Sequence, residues 1–341
     1  MIDSLKKPAV AGMVAAAVAL GSAFGASAQD ARNYILATAT TGGTYYPVGV
    51  ALATLIKVKL EPKQKLGMSA ISSAGSGENV KLLRSGEAQF AILQGLFGHY
   101  AATGTGPVAA DGPQTHLRSV SMLWQNVEHF VLDADLAKTG TIDDLIAQKG
   151  KPMAMGAKNS GTIESNTTIL SSFGVDVEKD YELVYGGYGP SAAAMQDGKV
   201  VGMGAPAGVP VGAVTQVMSS MPGKVKVLAF TDEQAKKADG GKNLWVPYTI
   251  PAGTYPGQDA EVQTIAQPNF LAVRDETPED DVYLITKTVY ENLPFLNAIH
   301  AATKAMAIEK AIGGLPLPLH PGAVRYYKEV GIDIPDHLMP K

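Results

Sequence analysis

The sequence predicts a two-lobed α/β protein, and three observations lead there. Short apolar runs with β character alternate with segments of helical spacing along most of the chain, which argues for α/β units and mostly parallel sheets. Each half carries Gly-rich strand-to-helix turns, although no exact internal repeat is present. An extended stretch, "IAQPNFLAVRD" (265–275), then leads into a largely helical end from Pro278. Two lobes joined by extended crossings make a clamp. Ligands of such folds sit at the carboxyl ends of strands, where helix N-termini converge.

The elements follow in order. "NYILATA" reads as a strand, "YYPVGVALATLIKVKL" as a helix, "KLGMSAISS" as a strand, "SGENVKLLRSGE" as a helix and "AQFAILQ" as a strand. In the second half "PMAMGA", "YELVYGG", "VVGMGA" and "VKVLAF" read as strands. Helices lie between and after them, one closed by Gly174 and one opening at Thr231. Two Gly/Pro-rich segments, 103–116 and 236–264, read as loops. "DDVYLITKTVYENL" and "PGAVRYYKEVG" are helical, and His320 before Pro321 looks like a helix start.

Composition narrows the function. The chain has 341 residues, formal charge −4, no Cys, 37 Gly and 21 Pro. No basic stripe is present to neutralise phosphates, which argues against nucleic acid. Lys6 and Lys7, the run "AVAGMVAAAVAL" and the triplet Ala26-Ser27-Ala28 predict a signal peptide over 1–28 and export. Without cysteine there is no disulfide and no thiolate chemistry. The six histidines have no metal-ligand spacing, and no phosphate loop or nucleophile elbow occurs. No cofactor and no metal are expected.

Four turns share one design, a strand, then small polar residues, then a helix: Thr40–Pro47, Ser72–Asn79, Gly156–Ser165 and Gly204–Pro210. Helix N-termini expose unpaired N–H groups and a partial positive charge, so several facing one cleft suit a carboxylate. Each Ser or Thr taken alone also reads as a plain N-cap. Gln94 ends a strand, where its amide either reaches ligand or ties a neighbouring loop. Lys158, in the third turn, either supplies a fixed positive charge or is a solvated loop lysine.

"GGTYYPVGVALATLI", "SAGSGENVKLLRSGEAQFAILQ", "GAKNSGTIES", "AMQDGKV" and "GLPLPLHPGAVRYYKEVG" resemble the TAXI-type solute receptors of TRAP transporters, over essentially all of the chain after residue 28. The resemblance implies a bilobal periplasmic-binding-protein fold, with lobe 1 as 29–125 and 268–341 and lobe 2 as 126–267. It implies a monomeric receptor that is no enzyme and hands a glutamate-like or 2-oxoacid dicarboxylate to an ion-gradient-driven membrane permease. Matched by motif, the contacts are Thr44, Tyr45, Ser73, Ser76, Asn79, Gln94, Ser160, Gly161, Thr162, Gly208 and Val209, with Lys158 added as a possible charge. The chain departs from the pattern at Val201-Gly202, where an Asp-Ala pair is common, and at Lys158, where small residues are common. A periplasmic enzyme on the same fold is the rival reading, with Glu78 and Glu164 as its acid and base; an adhesion module is weaker. Tyr45 is expected to reach the cleft and Tyr46 to pack behind it.

Overall fold

The computed structural model describes residues 30–340, so the expected signal peptide, 1–28, lies outside the described residues. The chain begins with β1 (Arg32–Ala37), α1 (Tyr45–Gln64), β2 (Leu66–Ile71), α2 (Ser76–Ser85), β3 (Phe90–Gln94) and α3 (Gly95–Thr103). The long β4 (Leu117–Val127) leads directly to β5 (Phe130–Asp133). There follow α4 (Ile142–Ile146), β6 (Pro152–Ala154), α5 (Gly161–Ser171), α6 (Val177–Asp180), β7 (Glu182–Leu183) and α7 (Tyr188–Gln196). Next come β8 (Gly202–Gly204), α8 (Gly212–Ser220), β9 (Val225–Val227) and α9 (Asp232–Asp239). The chain returns through β10 (Val246–Ile250) and β11 (Val262–Arg274), and ends with α10 (Glu279–Glu291), α11 (Leu293–Ile299) and α12 (Pro321–Glu329).

Local chemistry places the helix ends. Thr231 and Gln234 cap α9 reciprocally, which satisfies two of its free N–H groups. His320 accepts from Gly322 N at 3.2 Å, and Pro321 opens α12 where its missing N–H costs little. Gly86 closes α2 at φ 78°, a left-handed conformation that a side chain would strain.

Two sheets result. The first runs β10-β11-β3-β1-β2, with β4 also paired to β11; the second runs β7-β6-β8-β5-β9. Pairing is parallel at β1/β2, β1/β3, β6/β7 and β6/β8, and antiparallel wherever β5, β10 or β11 takes part. The expectation of mostly parallel sheets is therefore corrected to mixed sheets. Consecutive strands joined through a helix, such as β1 and β2, run parallel, whereas β5, β10 and β11 run against their neighbours.

The sheets organise three apolar clusters. Leu36, Phe90, Leu93, Phe270 and Tyr327 sit in the cluster of the first sheet. The second sheet is covered on both faces, because side chains alternate along β5: Phe130 and Leu132 join one cluster and Val131 the other. The loop expected over 103–116 contains a 3-10 turn at Gly106–Asp111, and the one over 236–264 contains β10.

Candidate functional site

Five helices start at one cavity. Thr44, Gly75 and Gln94 are the N-cap residues of α1, α2 and α3, and Ser160 and Gly187 those of α5 and α7. All five line a cavity of about 30 Å³ between the carboxyl ends of the two sheets' strands, room for roughly two water-sized spheres. Of the five, only Ser160 caps its helix with its own side chain, accepting from Ile163 N at 3.2 Å. None of the other four N-cap side chains caps its own helix, although Leu96 N of α3 is taken by Gln267 Oε1 and Glu78 N of α2 by Asn159 O, and the partial positive charge of each helix end lies at the same space. Every residue lining the cavity is neutral.

The walls touch across the cavity. Gln94 Nε2 donates to Gly161 O at 2.9 Å, Thr44 Oγ1 to Gly208 O at 2.9 Å, and Glu78 N to Asn159 O at 3.0 Å. Asn159 holds φ 61°, a left-handed geometry Asn tolerates, and this aims its carbonyl at α2. Glycines permit the approach. A Cβ on Gly77 would lie 2.3 Å from Asn159 O, one on Gly42 2.8 Å from Gly189 N, and one on Gly187 2.6 Å from Thr40 Cγ2.

Behind the cavity lies a buried polar network. Tyr45 Oη donates to Asn269 Oδ1, Asn269 Nδ2 to Asn126 Oδ1 at 3.3 Å, and Asn126 Nδ2 to Gln94 Oε1 at 3.3 Å. Gln267 Nε2 donates to Ser165 Oγ at 2.8 Å, and its Oε1 accepts from Leu96 N at 2.8 Å. On the opposite wall Tyr188 Oη donates to Pro206 O and accepts from Thr162 Oγ1. Burial raises both the Tyr45 and the Tyr188 phenols far above their ordinary value, so both stay neutral donors.

The structure brings together Thr44, Tyr45, Ser76, Gln94, Ser160, Gly161 and Thr162. Five other expected residues do not line the cavity. Ser73 Oγ donates to Asn79 Oδ1 at 2.6 Å and accepts from Gly75 N, which shapes the second turn. Asn79 Nδ2 donates to Thr38 O at 2.7 Å and Ile92 O at 2.9 Å, tying the ends of β1 and β3. Lys158 turns away, with its Nζ 4.9 Å from the Tyr185 ring centroid. Gly208 presents its carbonyl to Thr44, and Val209 lines a separate groove with Trp124 and Ala302. Val201 and Gly202 also lie outside the wall, at β8.

Sequence reasoning missed Asn126 and Tyr188 in the wall, while Thr40 and Pro206 fall in turns it named but were not singled out as contacts. Tyr188 follows the same strand–turn–helix pattern as the turns that were found, in "VYGGYGP", so that rule reaches it. Asn126 sits in β4, whose residues are buried on both faces and show no alternation to read.

Residues 36–331 match the model of the NMT1-like family. The chain belongs to the NMT1-like family. Its fold is that of solved bilobal binding proteins. MatC from Rhodopseudomonas palustris, solved with bound malate, aligns at TM-score 0.52 and 14% identity, covering 87% of this chain and 98% of that one. The periplasmic binding protein BugD aligns at TM-score 0.51 and 13% identity, covering 87% and 94%. A protein of Bordetella bronchiseptica RB50 gives TM-score 0.51 and 12% identity over 92% and 86%. For this NMT1-like chain those likenesses establish the bilobal α/β fold.

Proposed function

We propose that this NMT1-like protein is an exported solute receptor that closes around a small carboxylate. One observation carries the reading: five helix N-termini meet at a cavity whose lining is uncharged. Such an arrangement supplies N–H donors and positive potential without a counter-charge, which suits a carboxylate. The proposed ligand is a glutamate-like or 2-oxoacid dicarboxylate, and the TRAP-type permease as recipient rests on the motif resemblance. The fold shared with MatC, which holds malate in its structure, is consistent with an acid ligand.

The proposed lobes are 29–125 with 268–341, and 126–267, and β4 and β11 are the proposed crossings. The described conformation is closed, with direct hydrogen bonds between the walls. The cavity in this state has room for about two waters, so a dicarboxylate is proposed to be held in a somewhat wider closed state, favoured over the open one by the contacts it gains there. The rival enzyme reading is disfavoured because Glu78 Oε2 accepts from its own loop at Ala74 N, and neither Glu78 nor Glu164 lines the cavity. A thermal-shift panel of glutamate, 2-oxoglutarate, succinate and malate, with neutral sugars as controls, tests the proposal. Stabilisation of about 2.7 kcal/mol is expected at a ligand concentration of about 100 Kd. No shift with any acid overturns it.

A further inference from the structure

Glu128 is the only acidic side chain, among the described residues, that is fully buried in the polar network behind the cavity; its exposure is 0%. It lies in the two-residue link between β4 and β5, two positions after Asn126 of the cavity wall. Its Oε1 accepts from Trp245 Nε1 at 2.9 Å and from Gln267 Nε2 at 3.4 Å, and the Ser165 hydroxyl also faces the carboxyl, although no bond to Oε2 meets hydrogen-bond geometry. Gln267 also bonds Ser165, and Ser165 Oγ accepts from Gln94, so three neutral side chains connect the carboxyl to the wall.

The groups facing it from each packed element are neutral. These are Gln267 and Thr264 of β11, Ser165 of α5, Trp245 before β10, Tyr45 of α1 and Tyr188 of α7. His129, beside it, is held neutral by burial and bonded to Val127 O and Tyr255 Oη. No described lysine or arginine is among the groups that act on it. An ionised carboxylate here would sit in a low-dielectric site with only neutral donors from Trp245, Gln267 and Ser165 and no counter-charge, which is costly. Burial accordingly pushes its pKa up, to about 7. Burial is what mainly raises the Tyr45 and Tyr188 hydroxyls in the wall, and the Glu128 charge adds the smallest contribution to each, so the carboxyl lies within electrostatic reach of the wall.

We propose that Glu128 is a specificity-determining residue that sets the ligand charge the cavity accepts, admitting an anion while neutral and taking a proton from solvent when an anion enters. The inference rests on the carboxylate reading above. The sign follows from linkage. A bound anion raises the Glu128 pKa, so affinity is constant below the free-state value, falls at most about tenfold per pH unit between the free- and bound-state values, and levels off above the bound-state value. No bond to ligand forms; the proton moves from water to the Glu128 carboxylate.

The test takes whichever of 2-oxoglutarate, glutamate or succinate binds, and measures Kd from about pH 6 to about pH 9. Calorimetry in two buffers of different ionisation enthalpy reads proton uptake. Wild type is expected to weaken above about pH 7 with proton uptake, and Glu128→Gln to give a flat profile that keeps the low-pH affinity. Trp245→Phe removes a donor that favours the carboxylate, so the fall should move to higher pH; this variant carries the test if Glu128→Gln does not fold. Equal slopes in wild type and Glu128→Gln, an unmoved fall in Trp245→Phe, or no proton uptake overturns the proposal. If no acid binds, the carboxylate reading fails separately. The protonated-carboxyl infrared band at about pH 6, present in wild type and lost in Glu128→Gln, still reads the neutral state of Glu128, and its absence overturns the inference.

Discussion

Gln94 donates its side-chain N–H to the carbonyl of Gly161 across the cavity at 2.9 Å, so the two walls are joined by direct contact. The bond joins the end of β3, on the first sheet, to the start of α5, which packs on the second. The contact between the walls is therefore built from the turns themselves, and if the walls close on a ligand as proposed, the glycines in those turns are where closure can be blocked.

Gly77→Ala separates closure from folding. Gly77 lies in the first turn of α2, and its Cβ would meet Asn159 O at 2.3 Å and the Phe97 ring at 3.1 Å. Asn159 belongs to the opposite wall and can only back away. In the open state the alanine gains helix propensity of up to about 1 kcal/mol, part of which the Phe97 contact offsets. The expected outcome is unliganded thermal stability equal to or above wild type, with affinity for the acid ligand reduced at least about tenfold, or 1.4 kcal/mol. Affinity unchanged within about twofold would mean the walls do not need to meet at Asn159.

The paired tyrosines have separate duties. Tyr45 is 8% exposed, lines the cavity and donates to Asn269 Oδ1, whereas Tyr46 is half-buried outside it. Tyr45→Phe strands the Asn269 oxygen inside a buried network, at a cost of about 1–3 kcal/mol. Tyr46→Phe should change stability by less than about 0.5 kcal/mol. Denaturant unfolding of both variants decides this, and equal losses would contradict the assignment.

Much of this architecture was legible because its signals are local. The turns at Thr40–Pro47 and Gly156–Ser165 place small residues between a short apolar run and a helical period, and both turns form walls. A glycine in such a turn can admit a ligand, but Gly77, in the Ser72–Asn79 turn, and Gly187, in the similar turn before α7, chiefly admit the other wall, at Asn159 and Thr40. Nothing local distinguishes those two uses, because both require a missing side chain. β4 and Asn126 were invisible for another reason: a strand buried on both faces has no alternating pattern. The motif resemblance gives Ser73 and Asn79 as ligand contacts, and such a match cannot tell a turn built to hold a ligand from one built to hold itself, because both use the same residues.

Lys158→Ala is expected to leave ligand affinity nearly unchanged. The ammonium sits 4.9 Å from the Tyr185 ring centroid, and Lys158 is absent from the cavity wall. An exposed cation–π contact contributes about 0.5–1 kcal/mol, so any loss should appear in stability. Calorimetric titration of wild type and variant with the acid ligand checks it. A loss of about 1.5–3 kcal/mol in binding would restore Lys158 as a charge partner of the carboxylate.

Glu128 and His129 are adjacent, both buried, and pull the pH dependence of stability in opposite directions. Burial raises Glu128 to about 7 and lowers His129 to about 4. Between about 4.5 and about 7 the native state holds a Glu128 proton that the unfolded chain releases, so this residue makes stability fall as pH rises. Between about 4 and about 6.5 the unfolded chain protonates His129 while the native state cannot, so His129 makes stability rise with pH. Each full effect is on the order of 3 kcal/mol, at 1.36 kcal/mol per pKa unit. In wild type the two largely cancel over their shared window. Glu128→Gln removes one side of the balance, and its stability should climb with pH between about 4.5 and about 6.5 while wild type stays comparatively level. Urea unfolding at a series of pH values measures both curves. Parallel curves for wild type and Glu128→Gln would show that Glu128 is ionised throughout, and would remove the neutral carboxyl from behind the cavity.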